Sequence, residues 1–141
     1  MNISDILRYK GAEVFTMTPP DSVAAAAARL AEHRIGALLV LDGETVAGIV
    51  SERDIVRGLA ERGASILEAP VSELMTSPVL TCTSADSVDS VAETMTQKRA
   101  RHMPVVNDGR LAGMVSIGDV VSSRMRQLEH DRGALEHYIA G

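Results

Sequence analysis

Gly48-Ile49-Val50-Ser51-Glu52-Arg53-Asp54 recurs further along the chain as Gly113-Met114-Val115-Ser116-Ile117-Gly118-Asp119. The recurrence extends outward from these seven positions. Residues 14–56 fall on 79–121 with no gap, so that Val14-Phe15-Thr16-Met17-Thr18 lies over Val79-Leu80-Thr81-Cys82-Thr83, and Asp21-Ser22-Val23 over Asp86-Ser87-Val88. Two copies of one supersecondary unit, each too small to bury a core well alone, pack against each other. Their shared seam is a natural place for a pair of clefts.

Each copy reads β-α-β-β-α. Residues 13–17 form a short strand, stopped by Pro19-Pro20. Asp21 or Ser22 caps a helix from Val23 to His33 that is dominated by alanine, the best helix former. Residues 37–41 are a continuous apolar run, the pattern of a strand buried on both faces. Asp42-Gly43 turns the chain into a returning strand over 46–50, and Ser51 to Asp54 open a helix that runs to about Arg62. The second copy repeats the plan: strand at 81–83, helix from Val88 to about Arg99, strand at 104–106, turn at Asp108-Gly109, strand at 111–115, and helix from 117 to 126 or beyond. Ser4-Asp5-Ile6-Leu7 resembles Ser72-Glu73-Leu74-Met75, so each copy carries a short helical leader. Residues 8–13 separate leader from strand in the first copy and only 76–78 in the second. The expected division is repeat 1 at 4–62, linker at 63–71, repeat 2 at 72–126, and a helical extension with a frayed tail at 127–141.

Composition narrows the function. The chain has 141 residues, 45% of them hydrophobic but only 2% aromatic, and a net charge of −5. An acidic chain without stacking aromatics is not built to coat nucleic acid. A single cysteine, Cys82, excludes an internal disulfide and reads as a small buried hydrophobe. Met1-Asn2-Ile3-Ser4-Asp5-Ile6 lacks a basic region followed by an apolar stretch, which predicts no signal peptide. No apolar run approaches the ~20 residues of a membrane helix. The expectation is a cytoplasmic protein with no membrane partner. His130 and His137 lack an acidic residue to complete a metal set. No Ser-His-Asp or Cys-His set and no phosphate-gripping G-x-x-x-x-G-K-[ST] loop is present.

The twin Gly-apolar-apolar-Ser-x-x-Asp motifs, together with His102-Met103-Pro104-Val105-Val106 and Ser72-Glu73-Leu74-Met75-Thr76-Ser77-Pro78-Val79, resemble the cystathionine-β-synthase (CBS) domain family. The resemblance covers almost all of residues 4–126. It implies an α/β fold of two CBS repeats, packed with pseudo-two-fold symmetry through their short sheets, that binds an adenosine-containing ligand and catalyses nothing itself. AMP, ADP or ATP are the leading ligands and NAD(H) the alternative. It further implies a homodimer, with four repeats in a disc, that transmits occupancy to a separate effector protein.

The motif residues have two physical readings. Ser51 and Ser116 end a strand at a helix N-terminus, where a hydroxyl and free amides hold a phosphate oxygen. Asp54 and Asp119, one turn in, can accept two hydrogen bonds from a ribose diol. Alternatively, the serines are plain N-caps and the aspartates favourable first-turn residues. The resemblance implies one cleft built from Ser51, Arg53 and Asp54 with Val79, Leu80, Ala100, Arg101, His102 and Met103. The other would use Ser116 and Asp119 with Phe15, Thr16, Ile35, Gly36 and Ala37. The first offers Arg53, Arg101 and His102 to phosphates, whereas the second has the uncharged Ile117-Gly118 in the corresponding loop. An enzyme reading would rest on His102 as the base beside the phosphates. A third reading is a structural dimerisation module with empty clefts.

Overall fold

A computed structural model describes residues 1–140. In the first repeat, β1 (Thr16–Met17) pairs in parallel with β2 (Ala37–Asp42), which pairs antiparallel with β3 (Thr45–Ser51). Helices α2 (Val23–His33) and α3 (Glu52–Arg62) complete the unit. In the second repeat, α4 (Val88–Lys98) and α5 (Ile117–Ala140) accompany the antiparallel pair β4 (His102–Asn107) and β5 (Arg110–Ser116). The result is the expected mixed α/β fold of two repeats with short sheets.

The repetition extends to individual caps. Ser22 accepts from the Ala25 amide at 3.1 Å and Ser87 from the Ser90 amide at 3.0 Å. The helices they open bury Val23, Ala26 and Leu30, and Val88, Val91 and Met95, the same stripe at helical spacing. Both helices end on an arginine in the left-handed conformation, Arg34 at φ 54° and Arg99 at φ 53°. In the second hairpin Asp108 and Gly109 both have positive φ, as a two-residue turn of the tight mirror type requires.

Three expectations need correction. The strand foreseen at 13–17 is paired only at Thr16–Met17. The strand foreseen at 81–83 is reduced to a single parallel bridge between Cys82 and Val105. Both segments lie between a proline-bearing turn and an edge, where few backbone partners are available. The extension beyond residue 126 is not a frayed tail: α5 continues through Gly133 to Ala140, with Gln127–Asp131 and Arg132–Glu136 contacts one turn apart along it. Gly141 lies outside the described residues.

The leaders change sides. Helix α1 (Ile3–Lys10) packs on the second repeat, where Ile3 and Ile6 join Val91, Met103, Val105 and Val115 in one core. The second leader, a 3₁₀ turn at Val71–Glu73, packs on the first repeat, where Val71 and Ile66 join Val23, Leu38 and Val50. The two exchanges match bond for bond. The Ile3 amide donates to the Asp86 carbonyl (2.9 Å) as the Val71 amide donates to that of Asp21 (2.7 Å). Likewise Val88 donates to Met1 (3.2 Å) as Val23 donates to Ala69 (2.9 Å). Burying Ile3 and Ile6 contributes about 1.5–3 kcal/mol each. The exchange therefore ties the halves together and sets where their seam falls.

Candidate functional site

The seam opens into a cavity of about 470 Å³ between the start of α3 and the end of α4, a size suited to a small ligand. The α3 side is positioned by its cap. Ser51 accepts from the Asp54 amide (3.3 Å), while Asp54 Oδ2 accepts from the Ser51 amide (2.8 Å) and hydroxyl (3.0 Å). This reciprocal arrangement fixes the Asp54 rotamer at a helix start. Only one carboxylate oxygen is used in it. The other, Oδ1, has the Arg57 guanidinium at 3.8 Å. Asp54 is 7% exposed and lines the cavity. Capping and ligand binding are therefore compatible roles for the two oxygens of one side chain.

The opposite wall comes from Thr76 to Leu80 and from Lys98 to His102. Of the residues expected in this cleft, Ser51, Arg53, Asp54, Val79, Leu80, Ala100, Arg101 and His102 all line it, whereas Met103 is buried in the core of the second repeat. Gly36, expected in the other cleft, lines this one, where an added β-carbon would stand 3.5 Å from the His102 ring. Arg57, Lys98 and Arg99 belong to the cavity and were missed by sequence reasoning. Arg57 was legible as the residue one helical turn beyond Arg53. Lys98 and Arg99 directly precede Ala100, as the last residue of α4 and its left-handed cap.

The lining carries five basic side chains, Arg53, Arg57, Lys98, Arg99 and Arg101, against the two carboxylates of Glu52 and Asp54. On a chain of net charge −5 this is a local inversion of sign. Burial pulls the His102 imidazole below its ordinary 6.5. Asp119 opposes that shift, Lys10 and Arg101 add to it, and Glu52 opposes it weakly.

The second cleft is arranged differently. Asp119 Oδ2 accepts from the Ser116 amide (2.8 Å) and from the Lys10 ammonium (2.7 Å), which also donates to the Met114 carbonyl (2.9 Å). Burial alone would raise the Asp119 carboxyl, but the Lys10 and Ser116 hydrogen bonds outweigh it and hold the group below 3.8. Phe15 stacks on His33 with ring centres 3.9 Å apart. The Thr16 carbonyl accepts from Arg29 (2.8 Å). Ile35 packs against the first core, and Ala37 is fully buried. Among the described residues, no helix is long and apolar enough to cross a membrane.

The CBS domain model matches residues 3–61 and 71–126. The mitochondrial CBS domain-containing protein CBSX3 of Arabidopsis thaliana is 34% identical over 148 aligned residues, covering 99% of this chain and 72% of its own. A solved CBS-domain protein of Agrobacterium tumefaciens superposes with a TM-score of 0.85 at 44% identity, covering 88% of this chain and 99% of its own. A CBS domain protein of Pyrobaculum aerophilum complexed with AMP gives 0.75 at 31% identity, over 84% and 89% of the two chains. The CBS domain pair of protein MJ0100, in complex with 5′-methylthioadenosine and S-adenosyl-L-methionine, gives 0.77 at 30% identity, over 89% and 98%. With two matched repeats covering most of its length, the chain belongs to the CBS domain family as a tandem pair.

Proposed function

We propose that the cavity beside Asp54 binds an adenine nucleotide and that the protein is a non-catalytic cytoplasmic sensor passing occupancy to a separate partner. One observation carries the reading: an acidic chain gathers five basic side chains around a buried carboxylate whose Oδ1 is outside the cap and has only the Arg57 guanidinium, at 3.8 Å. That oxygen suits a ribose diol, and the arginines and Lys98 suit phosphates. Ile49, Val79 and Leu80 offer the aliphatic surface an adenine ring needs. The relative complexed with AMP supports this ligand class.

A second reading is an adenosyl ligand without phosphates, as in the MJ0100 complex. The positive lining disfavours a sulfonium ligand by like-charge repulsion. The exposed apolar side chains Val56 and Leu59 on α3 and Val121, Met125 and Leu128 on α5 support a homodimer through these helices.

Thermal denaturation with AMP, ADP, ATP, NAD(H), S-adenosylmethionine and methylthioadenosine tests the reading. A ligand at 100 times its dissociation constant stabilises by ~2.7 kcal/mol. Asp54→Ala is expected to weaken binding by about 1.5–3 kcal/mol, the worth of hydrogen bonds to a charged group. No shift with any adenine nucleotide would leave a structural dimerisation module. Turnover of the nucleotide would make the protein an enzyme.

A further inference from the structure

We infer that the second cleft is closed by the chain's own side chains, with Lys10 as the residue that limits the protein to one adenosine ligand per chain. The inference rests on the ligand reading of the first cleft and goes beyond it. The two clefts are built from equivalent residues, so their differences can be read position by position. In the first, the returning strand is held by backbone: the Thr76 amide donates to the Ile49 carbonyl (2.8 Å) and the Ile49 amide to that of Thr76 (3.1 Å). The linker then leads on as extended chain to Pro78 and Val79, which form the cavity wall.

In the second cleft, the three additional residues between leader and strand let α1 run on to Lys10. A helical backbone cannot form that bridge. The carbonyl of Met114, the counterpart of Ile49, is instead satisfied by the Lys10 ammonium, which also binds Asp119 Oδ2, the oxygen that accepts the Ser116 amide. Each aspartate spends Oδ2 on its cap, but Asp54 has only a guanidinium at 3.8 Å beside it, whereas Asp119 has an ammonium fixed at 2.7 Å. A ribose entering there would meet that ammonium, already held by the carboxylate and the Met114 carbonyl and facing its hydroxyls.

The base end is closed independently. Leu80 and Lys98 both line the open cavity. Their counterparts Phe15 and His33 are instead stacked on each other, ring centres 3.9 Å apart. The second cleft is therefore occupied at its sugar end by Lys10 and at its base end by an aromatic pair.

The test counts bound AMP by native mass spectrometry and equilibrium dialysis. Two proteins are compared: the wild-type chain, and a Lys10→Ala/Phe15→Leu/His33→Lys variant whose second cleft copies the first. One AMP per wild-type chain and two per variant chain, the added one lost on Asp119→Ala, is the expected result. Two AMP per wild-type chain would overturn the inference while sparing the ligand reading, and this count needs no variant to fold. One AMP on both proteins would overturn it in the same way. No AMP on the wild type but one on the variant would sustain the closure and overturn the reading of the first cleft. No AMP on either would overturn both.

Discussion

The side chain of Leu7 fills the space that a β-carbon on Gly113 would need: such a carbon would stand 2.8 Å from Leu7 Cδ2. Met75 does the same at Gly48, with its sulfur at 2.5 Å. Leu7 and Met75 are equivalent leader residues, each seated on the opposite repeat. The motif glycines are thus explained by packing of the exchanged leaders, before any ligand is invoked. Gly113→Ala and Gly48→Ala are each expected to destabilise by about 1–3 kcal/mol, the range for overpacking. Adding Leu7→Ala should recover part of the Gly113→Ala loss. Chemical denaturation of the three proteins measures this, and a Gly113→Ala protein as stable as wild type would contradict the close approach.

The exchange also predicts which half responds to a mutation in α1 or in the linker segment that leads into the second leader. Ile6→Ala removes a side chain buried in the second core, and Ile66→Ala one buried in the first. Each should cost about 2–5 kcal/mol. Hydrogen exchange should rise first in α4, β4 and β5 for Ile6→Ala, and in α2, β2 and β3 for Ile66→Ala. The reverse pattern would mean that each leader serves its own repeat.

Acid should release the Lys10–Asp119 contact. The folded-state Asp119 is held below 3.8, so its contribution is complete above the unfolded value and is lost as pH falls through the folded one. The pair is partly exposed, with side chains 33% and 22% accessible, and contributes about 1 kcal/mol or less. Melting temperatures followed downward from about pH 5 should fall less steeply in Asp119→Asn than in wild type. Identical slopes would show that the contact does not contribute to folding.

His102 should couple ligand binding to protons. Burial depresses its basicity in the free protein, and a phosphate placed in the cavity would favour the charged ring. Nucleotide affinity is therefore expected to rise as pH falls from about 7.5 to 6, with proton uptake measurable by calorimetry in buffers of different ionisation enthalpy. His102→Ala should abolish the uptake. Equal proton counts for the two proteins would remove His102 from the phosphate end.

The thiol of Cys82 is pushed up to about 11 by burial, with the Asp86 charge adding to the shift. Its thiolate fraction at pH 8 is about a hundredfold below that of a free thiol. Labelling by a thiol reagent should be slow in the native protein and become fast only on unfolding.

Much of this protein is legible in its sequence because repetition and periodicity are local signals. The duplicated motif, the Ser22 and Ser87 caps, the buried stripes of α2 and α4 and the tight turn at Asp108-Gly109 all follow from residues within a few positions of one another. The pairing of Ser51 and Asp54 with residues near 79–80 and 100–102 required a resemblance as well, since no local pattern brings them together. What only the tertiary structure decided is the asymmetry of the clefts. Lys10 meets Asp119 across 109 positions of chain, and it does so because α1 crosses to the other repeat and continues one turn too far for a backbone bridge. Lys98 and Arg99 line the cavity at the end of α4, which closes on a left-handed cap that arginine does not announce. Sequence sets which side chains exist and how each helix or strand begins. Which carboxylate lines the cavity, and which is met by an ammonium from the far end of the chain, is settled by three-dimensional packing alone.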